Sequence, residues 1–382
     1  MRALIALATL SLGCSKLLGI TDPSVGGGTD ARRDGRDDID AMIDSNIDSP
    51  PACTTAAVFA PEATYNLAAP GTGLGFGNLD ADTPGATRDV AIAIGTEIAI
   101  LHNDGTGALG NPSSIDTPAD GVIVEDFTLD ARVDIIAWQF GGTSVVERQH
   151  DTVTRGNYLA EQPLPGPFTG VVTVKVGFLD GAFNPDVLVH DASERRVYTS
   201  NLGTLGTFAK EEEVGVAGDD LVLVSDLDAL SNDDAVFVDQ AGAVKVSLSS
   251  GSLGATQTIA TGARPLAVAF GNFDDGTRLD AIVGTANGGV LYTQDTVGTW
   301  TEKPGTIFGV TGAIKVLDVN GDLTDDLVLA NGVLLQCPTT HVFTQFTPLA
   351  IGDIYEFVDL TKDGKPDLVR VDGSTLKVRI QQ

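Results

Sequence analysis

Basic residues, tryptophan, histidine and cysteine are scarce in this chain of 382 residues, and each scarcity excludes something. With 23 basic against 52 acidic residues the formal net charge is −29. That balance excludes nucleic acid as a partner, since phosphate contacts need clustered Lys and Arg. The four histidines, His102, His150, His190 and His341, are scattered and form no H-E-x-x-H pair or other zinc spacing. Trp138 and Trp300 are the only tryptophans and do not recur in register, so no aromatic platform repeats along the chain. No G-x-S-x-G elbow and no G-x-x-x-x-G-K-[ST] loop occurs. The glycines of "GTGLGFG" from Gly71 fall at every second place, with Phe76 where a dinucleotide fingerprint needs Gly. The expectation is a protein without enzymatic activity. A glycan-active enzyme using paired carboxylates is the weaker alternative, because nothing marks any pair out.

Acids, in contrast, are abundant and regularly placed. Residues 318 to 326 read "DVNGDLTDD", 359 to 367 "DLTKDGKPD" and 126 to 134 "DFTLDARVD". Each sets an oxygen-bearing side chain at its first, third, fifth and ninth positions. Looser relatives are "NLDADTPGATRD" at 78, "DGAFNPD" at 180, "DLDALSNDD" at 226 and "NFDDGTRLD" at 272, which makes seven copies. One Asp-rich turn is ordinary, because Asp and Asn favour turns through local hydrogen bonds. Seven in register are not.

Each copy lies between short apolar runs, such as "VIV" before and "IIAW" after the loop at 126. Such β-branched runs bounded by Gly, Asp and Asn read as strands. The closing acids are Asp89, Asp134, Asp186, Asp234, Asp280, Asp326 and Asp367, at steps of 41 to 52 residues. A period in the forties with several short strands per unit is that of a four-stranded propeller blade. The predicted fold is all-β, a seven-bladed β-propeller of four-stranded antiparallel blades spanning residues 53–382. The final copy stops after its third strand, near "STLKVRI". Residues 56 to 68 are therefore expected to supply the missing outer strand and close the ring.

The loops resemble the FG-GAP or VCBS repeat family, the propeller type of integrin α subunits and many bacterial surface proteins. The residues that carry the likeness are "FGNLDAD" at 76, "FGNFDDG" at 270, "DVNGDLTDD" and "DLTKDGKPD". The resemblance implies calcium in some of the loops, with a backbone carbonyl from the seventh position among the ligands. Calcium takes six to eight oxygens, and alternate placement along a tight turn lets one loop converge several carboxylates. The expected side-chain ligands are Asp318, Asn320, Asp322 and Asp326 in one loop, Asp359, Thr361, Asp363 and Asp367 in a second, and Asp126, Thr128, Asp130 and Asp134 in a third. Asn78, Asp80, Asp82 and Asp89 form a longer variant. The other three loops carry Ala182, Leu230 and Gly276 at position five, so they read as weak binders or plain turns.

The N-terminus reads as a targeting segment. "MRALIALATLSLG" at residues 1–13 has one Arg and an apolar run too short to span a bilayer. "LSLGC" resembles a bacterial lipobox, which would make Cys14 the lipidated first residue. Residues 14–52 carry four basic and eight acidic residues with no aromatics, the composition of a disordered tether. An amphipathic helix over 37–47 is the competing reading there. Cys53 and Cys337 then remain, either bonded to each other or as two inert thiols. The expected protein is a monomer, lipid-anchored at a bacterial envelope (outer membrane or cell surface). It would bind an envelope or extracellular protein, or alternatively a glycan, and meet the membrane only through its lipid.

Overall fold

The computed structural model describes residues 56–382 except 81–86, 155, 180–183, 193–194, 201–207, 214–219, 229–231, 240, 251–252, 261–263, 275, 277, 287, 308–313 and 353. Signal, tether, Cys14 and Cys53 lie outside the described residues. Among the described residues there are 28 strands and no helix, and the strands form seven four-stranded antiparallel sheets. Among the described residues no helix is long and apolar enough to cross a membrane.

Each sheet is one sequence repeat. Blade 1 runs Gly73–Gly77, Asp89–Ala93, Ile98–Leu101 and Ser113–Ile115. In all seven blades the second strand starts at the closing Asp of the acidic loop. First strands of neighbouring blades approach one another, which sets them around the hub. Second strands are then enclosed by blades on both sides. Val90 and Ile92 face blade 7, while Ala91 and Ala93 face blade 2. Enclosure on two faces is why "VAIAI" and "IIAW" read as unbroken apolar runs rather than alternating ones.

There is no single central core. Seven apolar clusters each join one pair of adjacent blades, from the 7–1 pair round to the 6–7 pair. Stability is therefore distributed round the ring, and closure matters. Blade 7 comprises Ile354–Val358, Asp367–Asp372 and Thr375–Arg379, with the N-terminal strand Ala63–Asn66 as its outer member. The register sets Ala63 opposite Val378 and Asn66 opposite Thr375, as expected from the truncated last repeat. A bridge from Phe59 to Gln381 extends the pairing. Glu62 fastens the seam, lying 3.0 Å from Arg370, 3.2 Å from Arg379 and 3.6 Å from Lys377.

One side chain breaks the repeat's chemistry. Opposite the second residue after each closing Asp stand Ile100, Val197, Val246, Leu291, Val333 and Val378, but Glu147 in blade 2. Glu147 is 2% exposed, and among the described residues its Oε1 has no hydrogen-bond partner. Burial, followed by the charge of Asp134, pushes its carboxyl up to about 8.

The folded protein thus holds this proton more tightly than the unfolded chain, where Glu titrates near about 4.3. The stability contribution is complete below that pH and is lost as pH rises through about 8. Glu147→Leu is expected to stabilise the fold by about 1–3 kcal/mol, the cost of an unpaired buried polar group. Urea unfolding at pH 6 and pH 9 should show a loss in the wild type that is smaller in E147L. An equal loss in both would show that Glu147 does not carry that proton.

Candidate metal loops on one face of the ring

Antiparallel order puts the loop between first and second strands on the same face as the loop between third and fourth. All seven acidic loops therefore open on one face of the disc. Their closing aspartates are at most 1% exposed. In every blade Oδ2 of that Asp accepts the N–H of loop position two, at 2.7–3.1 Å. In six blades Oδ1 accepts an N–H within or just past the end of the third strand: Asn103, His150, Ser249, Gln294, Gln336 and Gln381, at 2.7–3.1 Å. One carboxylate thus ties loop, second strand and third strand together.

Position two is also the plug between blades. Leu79, Phe127, Leu179, Leu227, Phe273, Val319 and Leu360 are at most 2% exposed and sit against the following blade. The following blade clasps the backbone carbonyl of this residue. Asn103 donates to Leu360 at 2.7 Å, Ser249 to Leu179 at 2.5 Å, Gln381 to Val319 at 2.7 Å, and the Tyr158 hydroxyl to Leu79 at 3.4 Å. The doublets "DD" at 233 and 325 add a second clasp. Asp233 accepts from Phe178 N–H at 2.8 Å and Asp325 from Asn272 N–H at 2.6 Å. These two acids were not singled out in sequence, although the doublet was the visible signal.

Burial has an electrostatic cost. It pushes the carboxyls of Asp134, Asp234 and Asp326 up to about 7, and those of Asp280 and Asp367 to about 6, against the pull of the amide donors. Negative charge on the loop's other acids adds to the rise, as Asp359 and Asp363 do for Asp367. A bound divalent cation would oppose both effects.

The three complete loops share one backbone. Positions four and six have left-handed φ: Leu129 55° and Ala131 67°, Gly321 78° and Leu323 66°, Lys362 61° and Gly364 80°. That curl turns successive N–H groups onto the first carboxylate. Asp318 accepts from Gly321, Asp322 and Leu323 at 2.7–3.1 Å, Asp359 from Lys362, Asp363 and Gly364 at 2.6–3.3 Å, and Asp126 from Asp130 and Ala131 at 2.9–3.2 Å. Position five caps position seven: Asp322 accepts from Thr324, Asp363 from Lys365 and Asp130 from Arg132. Asn320 hydrogen-bonds Asp322, and Thr128 hydrogen-bonds Asp126. The Thr361 hydroxyl is buried with no partner among the described residues. An all-oxygen donor set with a spare third-position hydroxyl fits calcium chemistry.

Among the described residues three carboxylate or imidazole ligand atoms come within 4.8 Å of one another in two loops, and neither is one of the three complete ones, whose acids are not brought together in this way. Asp226, Asp228 and Asp234 do so in blade 4, which reads in sequence as a weak or plain turn. In blade 1, Asp80 and Asp89 are joined by His102. Asn78 precedes the plug Leu79, and Asp82 lies outside the described residues. His102 could not have been found from loop spacing, because it follows the third strand. Cys337 is buried and disulfide-bonded.

No protein-family model matches the chain, and no curated protein matches it. Solved structures do. The chain is similar to BBS1N, crystallised in complex with ARL6DN, at TM-score 0.58 and 13% identity, over 85% of this chain and 97% of that one. It is similar to streptogramin B lyase at TM-score 0.54 and 16% identity, over 85% and 98%. It is similar to an Agrocybe aegerita lectin that recognises non-reducing terminal N-acetylglucosamine, at TM-score 0.56 and 14% identity, over 74% and 80%. The chain has a β-propeller fold. The expectation that it is not an enzyme is overturned as a deduction, because a lyase is built on the same fold. Missing catalytic motifs do not exclude catalysis on a scaffold that hosts unrelated chemistries.

The division of labour inside a loop is testable. Asp367→Ala orphans the Leu360 and Gln381 amides and should destabilise by about 2–4 kcal/mol, less than two charged hydrogen bonds at about 1.5–3 kcal/mol each because removing the carboxyl also relieves its burial cost. Asp363→Ala, at an exposed position, should cost less than about 1 kcal/mol in chelator-containing buffer. Denaturant unfolding checks both, and equal losses would refute the separation of staple from loop ligand.

Proposed function

We propose that this chain is a calcium-stabilised, lipid-tethered propeller of the FG-GAP/VCBS type that binds a protein partner at a bacterial envelope surface through its acid-loop face. The observation that carries the protein-binding reading is apolar side chains on the tips of that face. Leu323 is 92% exposed and Val153 89%, with Leu129 and Val342 also exposed. Leu323 and Leu129 do this with left-handed backbones, which cost an L-residue roughly 1–2 kcal/mol. Folding recovers nothing from such residues, whereas an interface does.

The BBS1N complex supports a propeller used for protein contact. The lectin supports a glycan alternative, but Trp138 here is 4% exposed and packs inside the blade 2–3 cluster, so it offers no stacking surface. The lipid on Cys14 and the pairing of Cys53 with Cys337 belong to the same proposal. Such a bond would join the start of the ring to blade 6.

Two experiments test the reading. Leu323→Ser with Val153→Ser should leave the melting temperature within about 2 °C, since both sites are exposed. The double variant should lose the cross-linked envelope partner that the wild type captures, and a glycan array should stay blank for both. Unchanged capture, or a specific glycan signal, would overturn the assignment. Separately, calcium at 5 mM exceeds the roughly 10⁻⁴ to 10⁻³ M dissociation constants of extracellular calcium modules. It should stabilise by about 1–2 kcal/mol per occupied loop. Asp322→Ala should reduce that gain. Identical melting curves in calcium and in chelator would mean that the loops are solvated turns.

A further inference from the structure

Blade 1 differs from the other blades at a residue outside its acidic loop. His102 stands immediately before the amide that binds the closing carboxylate. Blades 2, 4, 5, 6 and 7 have Gln149, Leu248, Thr293, Leu335 and Ile380 there. Its Nδ1 lies 3.4 Å from Asp89 Oδ2 and 3.9 Å from Asp80 Oδ2.

These separations are long for N–H···O hydrogen bonds, which fall at about 2.7–3.2 Å. They suit donors arranged around an ion. Two ligands each about 2.0–2.2 Å from a zinc-sized ion lie about 3.3–3.6 Å apart along a tetrahedral edge. The Asp89 carboxylate is held in place by the Leu79 and Asn103 amides, both at 2.8 Å. The Asp80 amide adds a longer contact to the same Oδ2, at 3.3 Å. Orientation of a ligating carboxylate by fixed donors is what a metal site requires of its surroundings. Access is from one side, since the His102 side chain is 39% exposed and that of Asp80 35%, against 2% for Asp89.

We propose that Asp80, Asp89 and His102 form a site for a borderline divalent transition ion, with zinc as the test case, distinct from the calcium loops of blades 2, 6 and 7. Imidazole nitrogen with two carboxylates suits such an ion, whereas calcium selects oxygen alone. Three protein ligands leave the outer position to water or to a donor atom from a bound partner.

The test is isothermal titration of the full chain with zinc in buffer saturated with calcium, paired with cobalt absorption spectroscopy. The wild type should take one equivalent of zinc, and cobalt should give visible bands of nitrogen–oxygen ligation. His102→Ala and Asp80→Asn should each weaken zinc at least about tenfold, the lower end of what even indirect changes to metal sites cost. His341→Ala and Asp322→Ala should leave it unchanged. Asp89 is left intact, because its loss would also release the Leu79 and Asn103 amides and confuse ligand loss with destabilisation. No stoichiometric zinc uptake, or equal uptake by wild type and H102A, would show an ion pair only. Because calcium is saturating throughout, a wild type that shows no calcium response but still binds zinc would overturn the loop assignment and not this one.

Discussion

A buried carboxylate at the start of each second strand holds this molecule together. It touches the loop amide, the strand that follows and the end of the third strand at once, as Asp326 does in blade 6. Removing it from water is costly, as the elevated carboxyls of Asp134, Asp234 and Asp326 show. The amides it binds would otherwise be orphaned where strand becomes loop. The same arrangement aims the position-two side chain into the next blade, so one interaction sets both the blade and its neighbour.

Ring geometry follows from that repetition. Seven clusters between blades, with no central core, mean that every blade is stabilised by two neighbours and none is stable alone. The N-terminal strand and the Glu62 ion network inside blade 7 convert a linear array into a closed one. Closure also concentrates charge, because all seven acidic loops must emerge on one face. A cation bound in such a loop would relieve repulsion that the fold itself creates. The lyase, the lectin and the ARL6-binding propeller show that the disc alone does not choose an activity, so function rests on what particular blades add.

Much of this was legible in the residues. The period of the closing acids and the apolar runs around them specify seven blades, and the truncated last repeat predicts the strand exchange at the seam. The loops were legible as oxygen-rich turns, but the distinct role of position nine was not. Asp326 and Asp322 look alike in a motif. Only the fold buries one between strands and leaves the other on the loop.

Local pattern is a one-dimensional property, so the sequence by itself determined strand, turn and repeat, and through them the architecture. Partnerships between residues far apart in the chain belong to tertiary structure. Asn103 reaching Leu360, Glu147 occupying a position that is aliphatic in six blades, and His102 meeting Asp80 and Asp89 all depend on which blades become neighbours and which strand faces them. The physical reason is that hydrogen bonding, desolvation and metal ligation act over a few ångströms, and only the folded blades and their neighbours in the ring bring these atoms that close.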